Sequence, residues 1–204
     1  PLVLVKPSTT DNNIELATQI FVHARSQDYL FAVVAAALEQ LDLSVQDARV
    51  YNSVDGMAMD TFYVLDANGE TISQDPDRIQ HISAQLTELL GDRDRYPEIV
   101  KRRTPRQVKF FSVPTETSMG IDETRQVSVL EVTTPDRPGL LARIGGIFFD
   151  FGIELQAAKI ATLGERVEDV FFITDGEGNP ITDQKLSVEI QSAICKELDE
   201  QAAA

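Results

Sequence analysis

The feature that most restricts the fold is an internal repeat. Displacing the sequence by 110 positions sets Val22 on Val132. It also sets the helix-spaced group Leu30, Phe31, Val34, Leu38 and Leu41 on Leu140, Leu141, Ile144, Phe148 and Phe151. Gln46 then falls on Gln156, and Ala48 on Ala158. One residue is lost in the next turn, and at a displacement of 109 Asp60, Phe62, Asp66, Gly69 and Ile72 meet Asp169, Phe171, Asp175, Gly178 and Ile181. An ordered core that recurs in register means two copies of one supersecondary unit.

Within the first copy, Leu16 to Ala24 reads as a strand and Tyr29 to Leu41 as a helix. Leu43 to Asn52 and Met57 to Asp66 form a predicted hairpin around Ser53-Val54-Asp55-Gly56. A second helix starts at Pro76 behind the N-cap Asp75 and runs to about Leu90, where Gly91 stops it. The second copy repeats this order from Val127–Val132 through a helix at Leu140 to Phe151, and ends in a helix carried by Leu186, Ile190, Ile194 and Leu198. A βαββα unit buries one sheet face under two helices, so the fold class is α/β, more narrowly an α+β sandwich. Tandem ferredoxin-like domains with antiparallel sheets are expected. Inward positions are Ile20, Val22, Phe62 and Val64, then Leu130, Val132, Phe171 and Ile173. The strand after each first helix changes phase, which predicts a β-bulge near Gln46-Asp47 and near Gln156-Ala157.

No strand follows the last helix, but an apolar strand precedes each copy. These are Leu2 to Val5, before turn chemistry at Pro7 to Asn13, and Phe110 to Met119, before a turn at Gly120-Ile121-Asp122-Glu123. The expectation is that each fills the missing edge, with Val113–Met119 pairing to Val127–Thr133. Phe21, Tyr63, Leu65, Val129, Val170 and Phe172 then point away from the helices, and such apolar faces call for a partner, either the other copy or another chain as in a homodimer. The domain division is 1–92 (core 16–90), a basic linker 93–109, and 110–204 (core 126–198). The linker holds Arg93, Arg95, Lys101, Arg102, Arg103, Arg106 and Lys109, from a total of 18 basic residues. It is either a solvated connector or a docking strip for an acidic partner.

A net charge of −15 argues against nucleic acid as the main partner. No apolar run reaches membrane-span length, so no membrane is expected. The lone Cys195 cannot close an internal disulfide, and a cytoplasmic setting is the simplest fit. The chain opens Pro1-Leu2-Val3, without an initiating Met, which suggests a piece of a longer protein. His23 and His81 offer no metal spacing, so no metal site is expected.

The chemistry-bearing stretch is Thr133-Thr134-Pro135-Asp136-Arg137-Pro138-Gly139-Leu140-Leu141. Two prolines and a glycine turn a strand into a helix within a few residues, leaving backbone N–H groups and the positive end of the helix dipole facing outward. A small carboxylate suits that geometry, held by the N–H groups of Gly139, Leu140 and Leu141. Asp136 is placed either to accept from an ammonium or to cap the helix. Arg137 is either a ligand contact or a solvated surface residue. Gln156 and Gln46, at the bulges, either reach a polar ligand or satisfy irregular backbone. The first copy has a weaker counterpart at Gln27, Asp28, Tyr29 and Leu30, with no proline. No residue is assigned a catalytic role.

The Pro135-Asp136-Arg137-Pro138-Gly139-Leu140-Leu141 run resembles the ACT domain, a regulatory module that binds amino acids. Asp55 to Phe62 and Gly164 to Phe171 extend the resemblance to the C-terminal tandem ACT region of bifunctional uridylyltransferase/uridylyl-removing enzymes, which modify the nitrogen-regulatory PII protein. The resemblance implies L-glutamine as effector, with upstream catalytic domains of the same protein, and PII itself, as partners. It implies no cofactor in this chain, since Mg2+ would belong to the catalytic domains. On the same ground, Asp55–Asp60 and Gly164–Asp169, read from the residues as charged hairpin edges, would couple to those domains. The alternative is a tandem ACT docking module whose main role is partner or inter-domain contact.

Overall fold

The computed structural model describes residues 1–9, 15–26, 30–53, 55–72, 74–92, 113–135, 139–163 and 166–203. The chain divides into two compact units, Pro1–Val100 and Lys101–Ala204. The basic stretch 93–109 and Phe110 lie outside the described residues.

Unit 1 runs β1 (Leu2–Thr9), β2 (Glu15–Arg25), α1 (Leu30–Gln40), β3 (Leu43–Arg49), β4 (Met57–Asp66) and α2 (Pro76–Gly91). Its sheet is antiparallel in the order β1-β2-β4-β3. Unit 2 runs β5 (Glu116–Asp122), β6 (Val127–Pro135), α3 (Leu140–Asp150), β7 (Ile153–Lys159), β8 (Thr162–Leu163), β9 (Arg166–Asp175) and α4 (Gln184–Ala203). Its order is β5-β6-β9-β7, with the short β8 also on β9. The preceding strands supply the edges as expected: Val3 pairs with Val22, and Glu116 to Met119 pair with Thr133 to Leu130.

Each unit has one core. Ile20, Val22, Phe62 and Val64 are buried in the first, as are Leu130, Val132, Phe171 and Ile173 in the second. Phe62 stacks on Phe31 at 6.0 Å, whereas Phe171 meets Phe148 edge-on at 5.5 Å, so the two equivalent rings take their aromatic partners from opposite ends of the helix above. The register of β3 shifts between Val45 and Asp47, and that of β7 between Leu155 and Ala157, which makes Gln46 and Gln156 the extra residues of two equivalent bulges. Hydroxyls at Thr18 and Ser128 accept the N–H groups of Ile72 and Ile181 at 2.9 and 2.8 Å, fixing the chain that returns to each second helix.

Three local expectations change. Pro7, Ser8 and Thr9 continue β1 rather than turning; on an edge strand the N–H that proline lacks would face away from the ladder. Gly120 to Asp122 stay in β5, and the turn comes later, where Asp122 accepts the N–H groups of Thr124 and Arg125 at 3.0 Å each and Gln126 takes a positive φ. Gly91 is the last residue of α2 rather than a left-handed stop, and Asp92 caps it. Among the described residues no helix is long and apolar enough to cross a membrane.

Candidate functional site

The strand-to-helix junction of unit 2 keeps β6 extended to Pro135 and begins α3 at Leu140. Asp136, Arg137 and Pro138 lie outside the described residues. Gly139 is the N-cap at φ 77°, ψ 8°, a left-handed conformation that favours glycine. Among the described residues a Cβ at Gly139 would touch Arg143 Nε alone, at an ordinary 3.7 Å, so the demand for glycine seen here is one of backbone angle. The first turn of α3 holds no acidic residue, so the helix offers no carboxylate of its own to its positive end. Leu140 is buried, and Gly139 and Leu141 are half-buried.

In unit 1 the corresponding helix begins at Leu30, which is buried, and Gln27, Asp28 and Tyr29 lie outside the described residues. Ser26 ends the described part of this junction and is tied down twice. Its N–H donates to Gly56 O at 2.9 Å and its hydroxyl to Asn52 Oδ1 at 2.8 Å.

Both flanks of the unit 2 junction carry polar bonds that sequence reasoning missed. Arg143, one turn into α3, places Nη1 2.6 Å from Glu197 Oε1 on α4. Helical side chains lean toward the N-terminus, which keeps this guanidinium beside Gly139. On the other flank Thr134 Oγ1 lies 3.0 Å from Thr115 Oγ1. Thr115 in turn uses both its hydroxyl (2.7 Å) and its N–H (2.9 Å) on Asp199 Oδ1. Cys195 Sγ contacts the Thr115 carbonyl at 3.4 Å. The available signal was phase: Thr134 continues the inward set Leu130 and Val132, and a hydroxyl at a core position needs a partner.

The two bulge glutamines sit elsewhere in their units. Gln156 donates from Nε2 to Thr174 Oγ1 at 3.1 Å, and Gln46 from Nε2 to Ser44 Oγ at 2.9 Å. Thr134 pairs opposite Val167, while Gln156 bulges between the partners of Ile173 and Phe172, two strands away. Strand geometry then separates Gln156 from the start of α3 by on the order of 20 Å within unit 2.

Asp60 and Asp169, expected at charged hairpin edges, are instead buried at 1% exposure each. The alternation of the strand decides this, because both share the inward phase of Phe62 and Phe171. Asp169 Oδ1 accepts the Ala161 N–H at 3.3 Å. Burial pushes the Asp60 carboxyl up to about 7, against the lowering effect of the Tyr51 backbone N–H. His23 is half-buried and His81 exposed. Among the described residues no group of His, Cys, Asp or Glu could hold a metal ion.

Residues 128–190 match the ACT domain family. The bifunctional uridylyltransferase/uridylyl-removing enzyme of Pseudomonas aeruginosa (strain LESB58) is 50% identical over 200 residues, covering 98% of this chain and 22% of that protein. The enzyme of the same name from Azotobacter vinelandii (strain DJ / ATCC BAA-1303) is 51% identical over 198 residues, covering 97% and 22%. The chain therefore spans about a fifth of the length of these curated relatives. Among solved structures, an unknown protein from Galdieria sulphuraria aligns over 91% of this chain and 92% of its own, with a TM-score of 0.29 and 16% identity.

Proposed function

On the premise that residues 128–190 of this chain are an ACT domain, we propose that the pair of units is the L-glutamine sensor of a bifunctional uridylyltransferase/uridylyl-removing enzyme. It would govern both activities toward the PII protein, in the cytoplasm, while any Mg2+ would serve the catalytic portion of the longer enzyme. The observation that carries the proposal is the start of α3, where Gly139 takes a left-handed conformation and the first turn holds no acidic residue. The N–H groups of Gly139, Leu140 and Leu141 would hold the effector's carboxylate, with Asp136 receiving its ammonium and Arg137 as a further ligand contact. The unit 1 loop at Gln27, Asp28, Tyr29 and Leu30, with Gln46, is the candidate for a second, weaker site, whereas Gln156 stands too far from the start of α3 to touch an amino acid held there. A sensor of this kind needs a coupling of only about 1–3 kcal/mol between effector and catalytic state. Calorimetric titration of this chain with L-glutamine tests it, with L-glutamate and D-glutamine as comparisons. Heat with L-glutamine is expected. No heat at millimolar L-glutamine, with clear binding of another amino acid, would overturn the effector assignment.

A docking role is the second reading, supported by one face of unit 1. Leu2 and Leu4 are 47% and 51% exposed on the edge strand β1, and Leu4 pairs with Phe21. In this reading the surface meets the catalytic portion, PII or a second copy of the chain. Co-sedimentation with each candidate, and the mass of the chain alone, distinguishes them.

A further inference from the structure

We infer that the β6–α3 junction is latched on both flanks to one turn of α4, and that this latch carries the state of the junction to Thr115. The ligand side of this inference rests on the sensor function proposed above; the latch itself rests on unit 2 alone.

The upstream flank is a relay of hydroxyls. Thr115 has a single hydroxyl proton and gives it to Asp199 at 2.7 Å, so in the 3.0 Å contact Thr134 is the donor and Thr115 the acceptor. The downstream flank is the Arg143–Glu197 ion pair at 2.6 Å. Glu197 and Asp199 stand two residues apart on α4, either side of Leu198, which is fully buried. Leu198 seats this turn in a close-packed core, so a force applied at Glu197 is felt at Asp199 rather than lost as local slack. A ligand that shifts the start of α3 shifts Arg143, and through that turn the two bonds on Thr115. By sequence, Thr115 lies where the chain arriving from unit 1 joins the edge strand of unit 2.

Unit 1 shows that the fold does not require this arrangement. The buried series Ile82, Leu86, Leu90 of α2 and Ile190, Ile194, Leu198 of α4 are displaced by 108, so Glu197 and Asp199 correspond to Leu89 and Gly91. At a displacement of 110, Thr134 and Arg143 correspond to Ala24 and Val33, both buried. None of those four carries a hydrogen-bonding side chain. At Thr134 and Arg143 unit 2 has placed polar groups where its twin has buried apolar packing, and such groups destabilise a core unless their partners are supplied. They stand in the same copy that has the Asp136-Arg137-Pro138-Gly139 run.

Amide hydrogen exchange on the ligand-free chain tests the latch by breaking one end and observing the other. Glu197→Gln should speed exchange at 113–119, and Asp199→Asn should speed it at 139–146, each by roughly threefold or more. Peptides 166–175 and unit 1 should not change. If each variant loosens only its own end, the bonds are independent staples and the inference is overturned. Should either variant also loosen 166–175, Arg143→Met and Thr134→Val replace them, with the same two outcomes. L-Glutamine is a separate arm. Heat together with slower exchange at 113–119, abolished in Glu197→Gln, supports transmission, and heat without any change at 113–119 overturns it. Absence of heat overturns the effector assignment and leaves the ligand-free exchange to decide the latch.

Discussion

Asp60 and Asp169 are one residue set down twice. Each is buried in the long strand of its hairpin and faces the backbone two residues beyond β3 or β7, where Asp169 Oδ1 accepts the Ala161 N–H at 3.3 Å and the Tyr51 N–H lowers the pKa of Asp60. The carbonyls of Tyr51 and Ala161 accept in turn from Met59 and Glu168 at 2.8 Å, so Asp169 closes a small ring that holds the strands together where they begin to part, and Asp60 occupies the equivalent place in unit 1.

A pH dependence follows for unit 1. Burial raises the Asp60 pKa from 3.8 to about 7. A folded-state pKa above the unfolded one contributes stability that is full below 3.8 and lost as pH rises through about 7. Asp60→Asn removes the titration, so its stability relative to wild type should rise between pH 4 and pH 8, by at most about 4 kcal/mol. The difference between the two proteins is the quantity to follow. Asp55, held low by its Ser53 hydrogen bond, and Asp66, held low by the Glu70 N–H, are exposed groups that act in the opposite sense in both. Urea unfolding monitored by tyrosine fluorescence isolates this unit, since Tyr29, Tyr51, Tyr63 and Tyr96 all lie before residue 101. Parallel pH profiles would remove Asp60 as the cause.

Gly139→Ala should destabilise unit 2 by about 1–2 kcal/mol, because a Cβ is unfavourable at φ 77°. The new methyl meets Arg143 only at ordinary contact distance, so Gly139→Asn, which tolerates this backbone region, should recover part of the loss. Equal losses in the two variants would point to crowding in place of backbone strain. Thermal melts of both, compared with the glutamine titration, are the measurement.

Thr18→Val and Ser128→Ala each strand a buried N–H, that of Ile72 or Ile181, and should cost about 1–3 kcal/mol. The exchanges Thr18→Ser and Ser128→Thr keep the acceptor and follow the twin, so they should cost less than about 1 kcal/mol. Chemical denaturation of the four variants decides whether the hydroxyl or the methyl matters.

Asp75→Ala should cost about 1 kcal/mol, since Asp75 Oδ1 accepts the Arg78 N–H at 3.0 Å as the N-cap of α2. Asp183 holds the corresponding place before α4, accepting from the Lys185 N–H at 2.8 Å, and its alanine variant should behave alike. A loss in helical signal confined to the melting of one unit would confirm each cap.

The repeat made most of the architecture legible. Apolar phase identified the inward residues, and the break in that phase located both bulges at Gln46 and Gln156, because a strand that must keep one face buried can change phase only by adding a residue. What phase could not convey was polarity at inward positions. Asp60, Asp169 and Thr134 looked like surface chemistry by residue type, yet they are buried because their neighbours two positions away are. The Arg143–Glu197 and Thr115–Asp199 pairs join residues 54 and 84 apart, contacts that depend on how the last helix lies and leave no local trace. The strand extended through Pro7 for a related reason, since an edge position forgives what a central one would not.

The copies fall out of step in a telling pattern. Their displacement is 110 through the bulge, 109 after the hairpin turn, and 108 from the cap Asp75 and its counterpart Asp183 onward. Both losses fall between elements, while the bulge, which also alters chain length, has been kept in each. A turn can shorten without moving a side chain to another face, but removing Gln46 or Gln156 would invert everything beyond it. The two halves of each unit therefore meet at a natural seam. A chimera crossing from 1–56 of the first copy into 166–203 of the second would keep the turn and preserve both the bulge and the buried aspartate, an exchange of parts that the duplication has already made possible.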